Sequence, residues 1–188
     1  MNKALSAAQV SLPVHPDEQD LLAAIIEHAE PLQPLSEASP AVRALLAHLS
    51  AGSPFLSGLV RRYPEFAVEV FSSPPDQVFC DLCTRLETEA ASAQSQAELM
   101  HHLRVARNHA ALLIALADIA GCWSCDEVTH ALTRFADVAV AGTVDWLLDE
   151  AVENGALTPG KGRQPADGYT VLAMGKHGAG ELNYSSDI

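Results

Sequence analysis

"SCDEVTHALTRFADVAVAGTVDWLLDEAVENG", residues 124–155, carries both ends of a long helix in its own letters. Ser124 followed three residues later by Glu127 is a capping box: the serine accepts from the Glu127 backbone, and the Glu127 side chain reaches back. Behind it, Val128, Leu132, Phe135, Val138, Ala139, Trp146 and Leu147 recur at helical spacing and are expected inward. Asn154-Gly155 closes the run as a left-handed C-cap would. The spacing predicts a helix to about Glu153 and a mainly α fold.

The same grammar extends upstream. Leu99, Leu103, Ala106, Ala110, Leu113 and Ala117 form one stripe, predicting a helix over about 95–120. Val78, Phe79, Leu82 and Leu86 repeat at that period. "SPAVRALLAHLS" (39–50) and "SPFLSGLVRRY" (53–63) each pair a serine N-cap with proline at the first helical position. Pro64 should stop or kink the second of these, and Pro74-Pro75 should end the segment through Phe71. Asp17 can cap a helix bearing Leu21, Leu22, Ile25 and Ile26. The expected plan is an arm over 1–15, then a helical bundle over 16–154 with no strand longer than a few residues.

Composition agrees with a packed bundle. Apolar residues make up 48% of the 188, enough for a core, while aromatics are only 5%. Eleven Lys and Arg against 24 Asp and Glu give a formal charge of −13, which disfavours general binding of phosphate backbones. No apolar h-region follows Lys3, and "AALLIALADIAG" (110–121) is broken by Asp118 and too short to span a bilayer. A cytoplasmic protein with reduced cysteines is therefore expected.

The cysteines form two CxxC pairs, Cys80/Cys83 and Cys122/Cys125, and four thiolates could hold zinc. Cys80 and Cys83 fall inside a predicted helix beside Phe79 and Leu82, where cysteine serves as a small apolar residue, so no zinc is expected. No βαβ pattern surrounds either pair, which argues against a redox motif. His101, His102, Arg104 and Arg107 could form an anion cluster, but a solvated helix face pairing with Glu98 or another acid is favoured.

Beyond the bundle the pattern changes. "GALTPGKGRQPADG" (155–168) holds four Gly and two Pro and is expected to be a linker. "YTVLAM" (169–174) has strand character and runs into the glycine-rich "GKHGAGE". This is neither a Walker A motif nor the dinucleotide fingerprint. Its glycines would let backbone N–H groups face an anion, and Lys176 adds positive charge. Ser-Ser-Asp-Ile follows within nine residues of Gly178. A phosphate cradle beside a carboxylate is the equipment of nucleotidyl transfer.

"GKHGAGELNYSSDI" (175–188) resembles the signature of the glutamine synthetase adenylyltransferase/adenylyl-removing family, G-K-x-G-[GA]-x-E-L-N-[FY]-x-S-D-I-D, up to its last aspartate. His177 stands where leucine or methionine is commoner. "LMHHLRVARNHAALLIALADIAG" (99–121) is similar to a helix of the same family. The resemblance implies that residues 169–188 are the truncated start of a nucleotidyltransferase α/β core, with one or two short strands and a glycine-rich loop. It implies Asp187 as catalytic residue and Mg²⁺ ligand, and Gly175, Lys176, Gly178, Ala179, Gly180 and Ser186 as nucleotide- or phosphate-binding residues. It further implies action on a tyrosine of glutamine synthetase, with ATP or ADP and phosphate as small-molecule partners and a PII signalling protein as a further one. The segment is most similar to the first, deadenylylating half. The chain stops inside an Asp-x-Asp pair, so a piece of a larger enzyme, inactive alone, is expected. The alternative is a non-catalytic helical module that docks a partner protein.

Overall fold

The computed structural model describes residues 16–27, 30–158 and 169–186. The expected arm (1–15), most of the expected linker (159–168) and Asp187 lie outside the described residues. Among them the regular structure is helical throughout: α1 (Glu18–Ile26), a 3₁₀ helix (Glu30–Glu37), α2 (Pro40–Gly52), α3 (Pro54–Arg62), α4 (Pro64–Ser72), α5 (Pro75–Ser92), α6 (Gln96–Ile119), α7 (Cys125–Glu153) and α8 (Gly175–Ala179).

The expected punctuation is present. Ser39 Oγ accepts from Val42 N–H at 3.4 Å and Ser53 Oγ from Leu56 N–H at 3.2 Å, with proline at the first helical position of each helix. Each bond satisfies one of the amides that a helix start leaves without an intrahelical acceptor. Pro64 ends one helix and opens the next. Asp17 occupies the N-cap of α1, but its side chain makes no capping bond. At the start of α7, Glu127 Oε2 accepts from Ser124 N–H at 2.6 Å while Ser124 Oγ accepts from Glu127 N–H at 3.3 Å. Ser124 Oγ also donates to Glu127 Oε2 at 2.8 Å, and the backbone and hydroxyl bonds that Ser124 gives this carboxylate, the backbone one first, hold the exposed Glu127 carboxyl below its usual range. α7 ends at Gly155 with φ +71°; Gly155 N–H donates to Val152 O and Ala156 N–H to Ala151 O, the paired bonds of a Schellman cap.

The chain divides into two compact units that share helices. The first comprises the residues up to Cys80 together with Asn108–Val128. Its core joins Ile25 of α1, Leu45 and Leu46 of α2, Val60 of α3, Phe71 of α4 and Leu112, Leu113 and Leu116 of α6. Leu32 and Leu35 of the 3₁₀ helix enter the same core, because side chains three apart line up on a helix of three residues per turn. Two polar groups tie its aromatic edges. Trp123 Nε1–H donates to Asp76 Oδ1 at 2.7 Å, and Asn108 Nδ2–H donates to Tyr63 Oη at 3.0 Å. His109 stacks on Phe66 with centroids 4.0 Å apart.

The second unit comprises Asp81–Arg107 and the chain from Thr129 onward. Ala90 and Ala93 pack with Leu99, Leu103 and Trp146. Gly142 brings α7 against α5: a Cβ built there would lie 3.1 Å from Ala90 Cβ. Trp146 Nε1–H donates to Ala93 O at 2.8 Å, satisfying a carbonyl just beyond the last turn of α5. Leu147, expected inward, is exposed. The 3.6 period selects a face of α7, but neighbours must supply the cover, and they thin out along its C-terminal half.

The expected strand is absent: among the described residues, 169–174 form no ladder, and the following glycine-rich stretch is helical rather than loop. A strand exists only through hydrogen bonds to a partner strand, and no such partner occurs among the described residues.

Candidate functional site

Gly175, with φ +55°, turns the chain out of its extended course and starts α8. Gly178 then lies against Ala173: a Cβ there would sit 2.5 Å from the Ala173 carbonyl oxygen, so only glycine fits. Gly178 N–H donates to Met174 O at 3.2 Å. Gly180, at φ +77°, ends the helix; its N–H donates to His177 O and Glu181 N–H donates to Lys176 O, a second Schellman cap. In this conformation the Gly178 and Gly180 amides are thus engaged by internal carbonyls. Lys176 and Ala179 are exposed.

Two contacts fasten this stretch to α7. His177 Nε2–H donates to Asp137 Oδ1 at 2.8 Å, with the His177 side chain only 18% exposed. Leu182 is buried, and its N–H donates to Thr133 Oγ1 at 3.3 Å. Thr133 is itself buried and donates its hydroxyl to Thr129 O at 2.8 Å, so its lone pair faces Leu182 with the rotor fixed. Thr133 and Asp137 are four residues apart and share one face of α7.

The chain then makes a tight turn over Asn183–Ser186, closed by Ser186 N–H to Asn183 O at 3.0 Å. Asn183 Oδ1 accepts from Ser185 N–H at 3.2 Å, Ser185 Oγ at 3.1 Å and Ser186 Oγ at 2.9 Å. Asn183 N–H donates to Ser186 Oγ at 3.1 Å. The expected phosphate contact Ser186 therefore holds the turn together. The side-chain oxygens of Asn183, Ser185 and Ser186 are of the type that a hard cation such as Mg²⁺ takes, but in this turn they bond one another. Among the described residues, no group of three or more His, Cys, Asp or Glu side chains is placed to hold a metal.

Gly175, Lys176, Gly178, Ala179, Gly180 and Ser186 lie in one short segment because they are neighbours in the sequence. Asp137, Thr133 and Leu182 complete its setting and were not singled out from the sequence. Leu182 had a signal, as an apolar residue alone among polar neighbours. The α7 pair had none, because a threonine and an aspartate on a helix are ordinary surface letters until the fold chooses what faces them.

The remaining candidates resolve locally. His102 lies between Glu89 (3.4 Å) and Glu98 (3.7 Å), and Arg104 and Arg107 are exposed, as on a solvated face. Cys80 and Cys83 are within α5, with Cys83 buried. Burial, and secondarily the Asp76 charge, pushes the Cys122 thiol up, which disfavours the thiolate that metal binding or redox chemistry needs. No helix among the described residues is long and apolar enough to cross a membrane.

Residues 43–188 match the family model described as glutamate-ammonia ligase adenylyltransferase. A protein of Xanthobacter autotrophicus named bifunctional glutamine synthetase adenylyltransferase/adenylyl-removing enzyme is 45% identical over 159 residues, covering 84% of this chain and 16% of that protein. Proteins of the same name from Rhodopseudomonas palustris and a Bradyrhizobium species are 40% and 42% identical, over 86% and 78% of this chain and 17% and 15% of their own lengths. The chain thus spans about one sixth of the length of the curated relatives it matches. No solved structure matches. Through a match that includes the whole glycine-to-aspartate segment, the chain belongs to the glutamate-ammonia ligase adenylyltransferase family.

Proposed function

We propose that residues 175–187 are the phosphate-handling edge of a nucleotidyltransferase site in a bifunctional cytoplasmic enzyme that adenylylates and deadenylylates a tyrosine of glutamine synthetase. The observation that carries this reading is the unbroken run of motif residues from Gly175 to Asp187, inside the family match and fastened to α7. We assign the segment to the half that removes AMP, and residues 169–174, unpaired among the described residues, to a stretch that becomes a strand of its α/β core only where a partner strand is supplied. In that reaction an oxygen of inorganic phosphate attacks the AMP phosphorus. The bond to the tyrosine oxygen breaks, ADP leaves, and the phenolate takes up a proton. Charge accumulates on the phosphoryl oxygens, so cationic and N–H groups aimed there lower the barrier. Lys176 supplies such a cation. The backbone of Gly175, Gly178, Ala179 and Gly180 lets a phosphate approach closely, since three of the four lack a side chain. Ser186 shapes the turn before Asp187, whose carboxylate would hold Mg²⁺; that ion would supply charge neutralisation at the transferring phosphorus. Glutamine synthetase, ATP or ADP, phosphate and a PII-type protein are the partners this reading implies.

The test is ADP release from adenylylated glutamine synthetase with phosphate and Mg²⁺, using a full-length family enzyme that carries residues 1–188 in place of its matching segment. Asp187→Asn should lower the rate on the order of 10²-fold or more while the helices stay folded. An unchanged rate would remove Asp187 from the site.

A further inference from the structure

The motif segment is not held by its own glycines alone. His177 and Leu182 flank the Gly178–Glu181 turn, and each is fastened to one side chain of α7. We propose that Asp137 and Thr133 are positioning residues: Asp137 acting through His177, and Thr133 acting through the Leu182 amide, fix where the glycine turn and the Asn183–Ser186 turn stand against α7. The role assigned to them in catalysis rests on the phosphate-handling reading of that segment.

Three observations carry this. The His177–Asp137 contact is short at 2.8 Å, and its histidine is mostly covered although Asp137 is half-exposed. Leu182 is the one residue of α8 and the turns after it, 175–186, that is buried, so the Thr133 bond is made where water does not compete freely. Asp137 and Thr133 sit one turn apart on a helix of 29 residues, a rigid ruler for two points of a short segment. The arrangement also accounts for His177. Leucine or methionine would pack there without a directional bond, whereas this chain pairs a histidine with a carboxylate at the facing position of α7. A site whose reacting groups stand a fraction of an ångström out of place loses rate steeply, which gives such anchors their value.

The 188-residue chain itself reports the anchoring, through amide hydrogen exchange of residues 177–182 and the imidazole ¹⁵N shifts of His177. Asp137→Ala and Thr133→Val should each speed exchange of Leu182 and Glu181 by about tenfold or more, leaving α5 and α6 amides unchanged. Asp137→Asn and Thr133→Ser, which keep an acceptor oxygen, should preserve most of the protection. In the chimeric enzyme, Asp137→Ala should lower kcat roughly 10- to 100-fold with little change in KM for adenylylated glutamine synthetase, and Asp137→Asn should restore most of it. Unchanged exchange in Asp137→Ala overturns the anchoring. Lost protection with an unchanged kcat overturns the positioning role. Asp187→Asn judges the phosphate-handling reading separately, so the two can fail independently.

Discussion

Gly178 and Ala173 meet backbone to backbone: a Cβ on Gly178 would lie 2.5 Å from the Ala173 carbonyl oxygen and 3.0 Å from its carbon. Neither atom is the free end of a side chain, so nothing can swing away. The run 169–174 and the helix that follows are locked by the absence of one methyl group.

Gly178→Ala should therefore displace the segment while sparing the bundle. The local cost is about 1–3 kcal/mol, as for a methyl forced into a filled space. Backbone shifts over 173–182 with an unchanged far-UV CD spectrum are expected. In the chimeric enzyme the substitution should lose activity without loss of soluble protein. Wild-type shifts in the variant would show that the contact is not limiting.

Trp146 is the next test, because its indole serves two purposes. It fills the small core beside Ala90 and Leu99, and its N–H satisfies the Ala93 carbonyl at 2.8 Å. Trp146→Phe keeps an aromatic ring but strands the carbonyl, at about 1–2 kcal/mol. Denaturant titration at unchanged m-value is the measurement. Trp146→Leu should cost more, since ring area is lost as well.

Phe71 is 1% exposed in the core of the first unit. Phe71→Ala removes a ring that its neighbours cannot replace and should destabilise by about 3–5 kcal/mol. The midpoint of chemical unfolding reports it. A loss below 1 kcal/mol would mean that the core repacks around the cavity.

The Glu127 cap makes a prediction about pH. Its carboxyl titrates below the ordinary range in the folded protein because the Ser124 backbone and hydroxyl bond to the ionised form. A depressed folded value means stability that is present above the unfolded value, roughly 4.3 for glutamate. It is lost as pH falls through the folded value. Wild type should therefore be more stable than Glu127→Ala at pH 6, and the gap should narrow below about pH 4. A gap that widens in acid would contradict the assignment.

Much of the helical architecture was legible because helix ends are local chemistry. Ser39-Pro40, Ser53-Pro54, the Ser124–Glu127 box and Asn154-Gly155 each act over no more than six consecutive residues, so their letters suffice. The 3₁₀ helix over Glu30–Glu37 escaped that reading, since a period of three over so few residues leaves no 3.6-residue stripe. Leu147 shows the limit of stripes: the period names a face, not what covers it.

By itself, the sequence determined the capped ends of α2, α3 and α7, most of the apolar stripes along the longer helices, and the motif from Gly175 to Asp187 by which the family is recognised. Those rest on contacts between near neighbours or on residue identity alone. Tertiary structure decided that Thr133 and Asp137, forty or more residues upstream, face the motif, and that Gly178 leaves no room for a methyl beside Ala173. It also decided that 169–174 pair with no strand among the described residues. Strand character is a preference that only a partner can realise, and a threonine or aspartate on a helix gains its role only from what packs opposite it.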